Sequence, residues 1–274
     1  MWDILLINPF TNALLWIYDV IGNNYGVAII LFTILIRLIT WPLNGQQLKG
    51  AKVMQDLQSD KEWLDIQKKY AKDKEKLAQE QMRIYKERGI NPFASCLPTL
   101  IQFPIIIGLY QSITRALATT PLGLLQLARG IYPWFLNTSV LIPLNSRFLW
   151  MDLGRPEGIP FPAGFTVSFL PFGFPTLAII VAITTYLQTK LTMPPPATGN
   201  PNDQSAAMSS MMSIYMPLLL GYFALNFASG LAVYFVTSNV LGIVQYAMMG
   251  RVNWRNLLPG GKKPASPVKL VKKK

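Results

Sequence analysis

Hydrophobic residues run in five long stretches along this chain, at about 24–43, 92–115, 172–192, 209–227 and 229–250. Each is near the ~20 apolar residues that a helix needs to cross a hydrocarbon layer roughly 30 Å thick. The pattern predicts an all-α polytopic membrane protein, a bundle of five transmembrane helices. The last two stretches nearly touch, and Asn226-Phe227-Ala228-Ser229-Gly230 reads as a tight turn between them. Residues 1–23 carry a shorter amphipathic helix. Phe10, Ala13, Leu14, Ile17, Tyr18 and Ile21 share one helical face, and Thr11, Asn12 and Asp19 supply a polar side. Asn8 is placed to cap this helix, with Pro9 at its first position. It is too short and too polar to span, so it is expected to lie in the interface plane.

The 44–91 segment has another character. It holds 11 basic and 8 acidic residues, interspersed, with no Pro or Gly from Ala51 to Arg88. Such a composition suits exposed helices laced by pairs three and four residues apart. Val53, Leu57 and Leu64 form one thin apolar seam, and Ala78, Met82 and Tyr85 another. Two antiparallel helices follow, a hairpin whose turn falls at Ser59-Asp60 or near Ala71–Lys74. A solvated charged linker fits less well, because apolar residues recur at helical spacing. Residues 116–171 form a loop rich in Pro, Gly and aromatics, and Trp134, Phe135, Phe148 and Trp150 place it against the outer interface. Residues 193–208 form a short second loop. The 251–274 tail carries eight Lys/Arg and no acid, and its Gly, Pro and Lys from Pro259 onward predict disorder.

The distribution of Lys and Arg sets the orientation. Eleven lie in 44–91 and eight after the fifth stretch, whereas the 116–171 loop has only Arg129, Arg147 and Arg155, with Arg115 at its edge. The hairpin and tail are therefore expected in the cytoplasm, and five crossings put the N-terminus outside.

Composition narrows the chemistry. Of 274 residues, 51% are hydrophobic and 14% charged, against about a quarter charged in a soluble domain. There is no histidine and one cysteine, Cys96. The commonest general base and metal ligand are thus missing, and no intrachain disulfide can form. No CxxC, phosphate-binding glycine loop or GxSxG occurs. The expectation is a protein that is not an enzyme and uses no metal or cofactor. Met1-Trp2-Asp3 opens no basic n-region and no transit-peptide composition, which fits a bacterial plasma membrane protein, with a trimmed organellar one as the alternative.

Arg37 is the only charge well inside a stretch, where it costs roughly 2.5–3.5 kcal/mol on insertion scales. It could snorkel to the headgroups. Thr33, Arg37, Thr40 and Asn44 share a face, however, which favours a wet cavity. Thr99 and Gln102, then Thr184, Gln188 and Thr189, then Ser209, Ser210 and Ser213 also lie toward the cytoplasmic side. Tyr234, Thr237, Ser238 and Asn239 sit nearer the middle of the last stretch, with Gln245 deeper. Small polar residues can glue helices together. Their gathering in the inner half fits a groove open to the cytosol and closed outside. No stretch contains Asp or Glu, so Arg37 has no internal salt-bridge partner, and it is expected to draw in the polar part of a client chain. Pro98, Pro104 and Pro217 fall within stretches. Met208, Met211, Met212, Met216, Met248 and Met249 are either adaptable surface or ordinary filler.

Several of these residues fall in motifs. Tyr25-Gly26-Val27-Ala28-Ile29-Ile30 leads to Ile36-Arg37-Leu38. Tyr85-Lys86-Glu87 is followed by Asn91-Pro92, Cys96-Leu97-Pro98 and Ile101-Gln102-Phe103-Pro104-Ile105. Phe148-Leu149-Trp150 precedes the third stretch, and Ser229-Gly230-Leu231-Ala232-Val233-Tyr234 comes with Ser238-Asn239. In this order, over roughly 20–250, the chain resembles the YidC/Oxa/Alb family of membrane protein insertases. The resemblance implies a five-helix core with a hydrophilic groove in the inner leaflet. It makes Arg37 the groove arginine, Gln102 the groove glutamine and Tyr234 a client-contacting tyrosine. It makes the charged segment a cytoplasmic hairpin turning near Ala71–Lys74. It implies nascent membrane-protein clients, work alone or with the Sec translocon, and a link to the signal recognition particle pathway. Lys262, Lys263, Lys269, Lys272, Lys273 and Lys274 suit ribosomal RNA or anionic lipid equally. Against that pattern the expectation is of no large outer domain, no extra N-terminal span and no lipoprotein signal, and of a longer 116–173 loop. A solute transporter or channel is the alternative function, which the missing intramembrane carboxylates disfavour. A purely structural assembly chaperone is a third.

Overall fold

The computed structural model describes residues 1–45, 53, 57, 60–70, 73–89, 97–118, 120–132, 144–157, 175–192 and 204–249, with only the backbone of 74, 97–101 and 204–212. The described helices are α1 (Asn8–Val20), α2 (Tyr25–Ile39), α3 (Lys61–Lys69), α4 (Lys74–Glu87), α5 (Leu97–Ala116), α6 (Pro121–Gly130), α7 (Thr176–Thr192), α8 (Gln204–Asn226) and α9 (Ser229–Met248). A two-strand hairpin, β1 (Arg147–Phe148) and β2 (Met151–Asp152), pairs Phe148 with Met151 in antiparallel register. Its turn holds Leu149 at φ +54°, a conformation that costs a branched side chain. Among the described residues α9 alone is both long and apolar enough to cross a membrane. α2, α7 and Ser213–Asn226 of α8 are apolar but shorter.

The amphipathic segment is helical from further upstream than its caps suggest. A π-helical turn, Asp3–Ile7, runs directly into α1, and Asn8 has helical dihedrals (φ −62°, ψ −48°) rather than those of a cap. Tertiary contacts extend it. Arg115 at the end of α5 donates to Asp3 at 2.6 Å and to Asn8 Oδ1 at 3.3 Å, and Trp2 Nε1 donates to Gln111 at 2.9 Å. Of the expected polar side, Thr11 and Asn12 are buried and Asp19 is exposed. Asn12 donates to the carbonyls of Asn8 and Gly130 and accepts from Tyr132 N, pinning the end of α6. Thr11 and Asn12 are therefore inside the fold, while Trp16 and Val20 are exposed. The turn to α2 uses left-handed backbone at Gly22 and Asn23, and Asn24 caps α2 by accepting from Val27 N.

Helices α7, α8, α9 and α2 pack as a row, with α7 between α8 and α9 and α9 between α7 and α2. α5 packs mainly on the π-helical turn, α1 and α6, and meets the row lightly at α9. Pro98 falls in the first turn of α5, where no helical hydrogen bond is lost, so only Pro104 and Pro217 interrupt helices. The apolar core gathers at one end of the bundle. Leu14, Leu15, Tyr25, Ile29, Leu109, Ile113, Leu127, Leu153, Val181 and Leu231 all lie there. The described parts of the 116–171 segment, 120–132 and 144–157, belong to that end, with α6 and the strand hairpin packed on it. Trp134 and Phe135 lie outside the described residues; Trp150 is half-exposed and Phe148 packs inward.

α3 and α4 form the predicted hairpin, turning at 70–73. Their seam is Leu57, Trp63, Ile66, Leu77 and Ile84, with Tyr70 and Tyr85 alongside. Ala78 and Met82 face outward, and Trp63 takes the central place, its ring 5.4 Å from that of Tyr85 and tilted by 46°. On α4 the seam runs through Leu77 and Ile84, which share a face seven residues apart. Asp60 and Asp73 cap the two helices. Arg88 clamps the open end through Asp60 (2.6 Å) and Glu62 (2.9 Å). The hydrogen bond from Arg88 holds the Asp60 carboxyl below the ordinary carboxylate range. Its contribution is full above about pH 4, the unfolded value, and fades as pH falls through the lower folded one. For this partly exposed pair it is under about 1 kcal/mol. Amide protection factors in α3 and α4, taken against the intrinsic exchange rate at each pH, are therefore expected to fall below pH 4 in the parent and to be less acid-sensitive in Arg88→Ala.

Candidate functional site

Arg37 occupies the last turn of α2 and is half-buried. Its Nε donates to Ser238 Oγ at 3.2 Å. Its Nη2 donates to the same hydroxyl at 2.6 Å and to the Ser238 carbonyl at 2.8 Å. The expectation of an arginine without a partner is thus corrected in part: Ser238 of α9 holds it. That partner is neutral, and among the described residues no carboxylate pairs with Arg37. A guanidinium has five N–H donors, and those on Nη1 have no hydrogen-bond partner among the described residues.

Gly242 makes this arrangement possible, and sequence reading missed it. A Cβ there would lie 2.4 Å from Gln188 Nε2 and 3.6 Å from Arg37 Nη2. Its bare backbone lets Arg37 of α2 and Gln188 of α7 approach α9 from two sides. The signal available in the sequence was a glycine four residues after Ser238 in an otherwise strong helix.

Gln102 of α5 donates to the hydroxyl of Tyr234, and Tyr234 interacts in turn with Ser238. Gln102, Tyr234, Ser238 and Arg37 therefore form one polar chain across α5, α9 and α2. It is one of the links between α5 and the row, beside the ring contact of Tyr110 with Phe227. Asn239 points elsewhere and donates to Thr184 Oγ1 (3.1 Å) and Thr185 Oγ1 (2.8 Å), both on α7. It acts as helix glue. Asn44 donates to Gln245 Oε1 at 3.4 Å, and Gln245 Nε2 is buried without a partner. Thr33 is fully buried and bonds to Ile29 O, and Thr40 bonds to Ile36 O. Their hydroxyls serve their own helix, so the predicted stripe contributes Arg37 and Asn44 to the cluster. Thr184, Thr189 and Thr237 likewise bond within their helices. The side chains of Thr99, Ser209, Ser210 and Cys96, and all six tail lysines, lie outside the described residues.

Burial along α9 gives the site its asymmetry. From Ser229 to Phe235 every residue is buried; beyond that point only Ser238, Asn239, Gly242 and Gln245 are. One end of the helix is enclosed on all sides, and the other packs on one face. Around the cluster, Leu35, Leu38, Ile39, Phe103, Ile183, Val240 and Val244 are exposed. Apolar side chains turned outward on this scale belong in lipid rather than water. Among the described residues no group of His, Cys, Asp and Glu could hold a metal. What the cluster offers is a fixed cation with spare donors, suited to carboxylates and main-chain carbonyls.

Fold and site together define a mostly helical membrane bundle organised around a cation-centred polar cluster. The chain belongs to the 60Kd inner membrane protein family, whose model matches residues 16–255. It is 31% identical over 255 residues to the membrane protein insertase YidC of Oceanobacillus iheyensis, covering 92% of this chain and 84% of that one. It is 33% identical over 248 residues to the membrane protein insertase MisCA of Bacillus subtilis, covering 89% and 77%. A solved structure described as the active YidC insertase crystal structure with the first transmembrane domain resolved matches 84% of this chain and 42% of its own, at 26% identity and TM-score 0.49.

Proposed function

We propose that the protein is a membrane protein insertase and chaperone that eases polar segments of client chains into and across a bacterial plasma membrane, without nucleotide. On this reading α2, α5, α7, α8 and α9 are the five crossings, with the N-terminus outside and the hairpin and tail in the cytoplasm. The enclosed end of α9 faces outward and its one-sided end faces the cytosol. The observation that carries the proposal is the Arg37 guanidinium, held by a neutral serine with donors to spare, where α9 stops being enclosed. Such a cation attracts an acidic or carbonyl-rich segment transiently, because among the described residues no carboxylate competes for it. Family relatives named as insertases over most of their length support the same activity.

Gln102, Tyr234 and Ser238 orient the cation and line its approach, and Thr33, Thr40, Gln188 and Asn239 support the surrounding helices. The partners of this reading are nascent membrane proteins, the Sec translocon, the signal recognition particle pathway, and the ribosome or anionic lipid through the basic tail. Purified protein in liposomes tests it. A small single-span client should become protease-protected without nucleotide, and the same liposomes should retain an ion gradient. Nucleotide-free liposomes that pass small ions and insert nothing point to a channel instead.

A further inference from the structure

The segment 144–157 lies across the enclosed end and makes an unusual set of bonds. The Arg155 carbonyl accepts from Ser229 N (2.8 Å) and Ser229 Oγ (2.7 Å), and the Leu153 carbonyl accepts from Gly230 N (3.0 Å). These are first-turn N–H groups of α9, which no side chain caps. The Glu157 carboxylate, 7% exposed, accepts from Leu177 N in the first turn of α7 and from Trp150 Nε1 at 2.6 Å. Asn145 N donates to the Tyr18 hydroxyl at the end of α1 (3.0 Å). The Phe148 ring lies over Gly26 in the first turn of α2, where a Cβ would come within 2.2 Å of it. One segment of chain thus ties together the starts of α2, α7 and α9 and the end of α1.

We propose that residues 144–157 are a strap that seals the outer end of the bundle against ions, and that Glu157 is its anchor. The proposal rests on the insertase reading above, in which water reaches the Arg37 cluster from the cytosol. On α9 the strap meets Gly230 and the polar chain begins at Tyr234, four residues away. Four residues rise only about 6 Å. The intervening layer, with Ile29, Ile113, Leu153 and Leu231, is thin for a barrier between a wet cluster and the outside. Leu153, a side chain of the strap itself, is fully buried, so lifting the strap withdraws apolar cover and uncovers helix N-termini together. Most strap bonds use main chain. Glu157 is the exception, a charge on a helix N-terminus, where both the dipole and charge-assisted bonds favour it.

The test uses full-length protein in liposomes containing a pH-sensitive dye, with an external acid step. Losing one charge-assisted bond shifts a closed–open balance by about tenfold. Glu157→Gln is therefore expected to raise proton entry about tenfold over the parent. Trp150→Phe removes one bond from a half-exposed residue and is expected to raise it about threefold. Insertion of a client with a short neutral outer segment should stay within about twofold of the parent, since neither residue touches the Arg37 cluster. Parent-level proton entry in Trp150→Phe and in folded Glu157→Gln overturns the strap. If Glu157→Gln does not fold, Trp150→Phe alone decides. A parent that inserts nothing while the variants leak removes the insertase reading and leaves the strap intact.

Discussion

Arg37→Ala is expected to lower insertion of a client with an acidic outer segment about tenfold, a loss of about 1.4 kcal/mol, and to leave a client with a neutral outer segment within about threefold of the parent. The difference between clients is the informative quantity. Arg37 does two things in the structure: it fastens α2 to α9 through Ser238 and it presents spare donors. Loss of fastening would harm every client alike, whereas loss of attraction harms acidic ones. Ser238→Ala separates these roles, because it removes the hydroxyl and keeps the cation; its effect on acidic clients should be below that of Arg37→Ala. Arg37→Lys keeps the charge but not the planar fork and should fall between parent and alanine. Protease protection of radiolabelled clients in liposomes reads all three. Equal losses for acidic and neutral clients in Arg37→Ala would show that the arginine is a fastener and nothing more.

The second large effect is expected in the α3–α4 hairpin. Trp63 is 1% exposed at the centre of a seam of five buried residues. Truncating a buried aromatic to alanine costs about 3–5 kcal/mol, and a hairpin of this size has only a few kcal/mol in hand. Trp63→Ala is therefore expected to abolish amide protection across α3 and α4 in hydrogen exchange, while α2, α7 and α9 keep theirs. Trp63→Phe should cost far less. The indole Nε1 is buried without a partner, and phenylalanine removes that orphaned donor while filling most of the space. Protection retained in Trp63→Ala would mean that the surface ion pairs of Arg83 and Arg88, rather than the seam, hold the two helices.

Chain chemistry alone determined the apolar periodicity of the helices, the charged hairpin and the singular position of Arg37. These are local properties: hydrophobic spacing sets helices, and a lone charge in an apolar stretch needs no neighbour to be recognised. The resemblance to the insertase family was likewise legible in short motifs, and family and relatives bear it out. Partnership was not legible. Thr33 and Thr40 share a face with Arg37, yet a threonine in a helix can turn its hydroxyl onto its own backbone, and both do so. Asn12 looked like solvent-facing polarity until Gly130 and Tyr132 arrived from 118 and 120 residues away to bury it. The hairpin seam was misread because the larger apolar residues, Trp63 and Ile66 on α3 and Leu77 and Ile84 on α4, took the inward face and left Ala78 and Met82 outside. Gly242 and Glu157 matter only through what approaches them, Gln188 and Arg37 in one case and Leu177 and Trp150 in the other. Spacing along the chain tells which residues share a face; only the packed helices decide which groups close the distance, because hydrogen bonds and steric fit depend on a few tenths of an ångström between segments far apart in sequence.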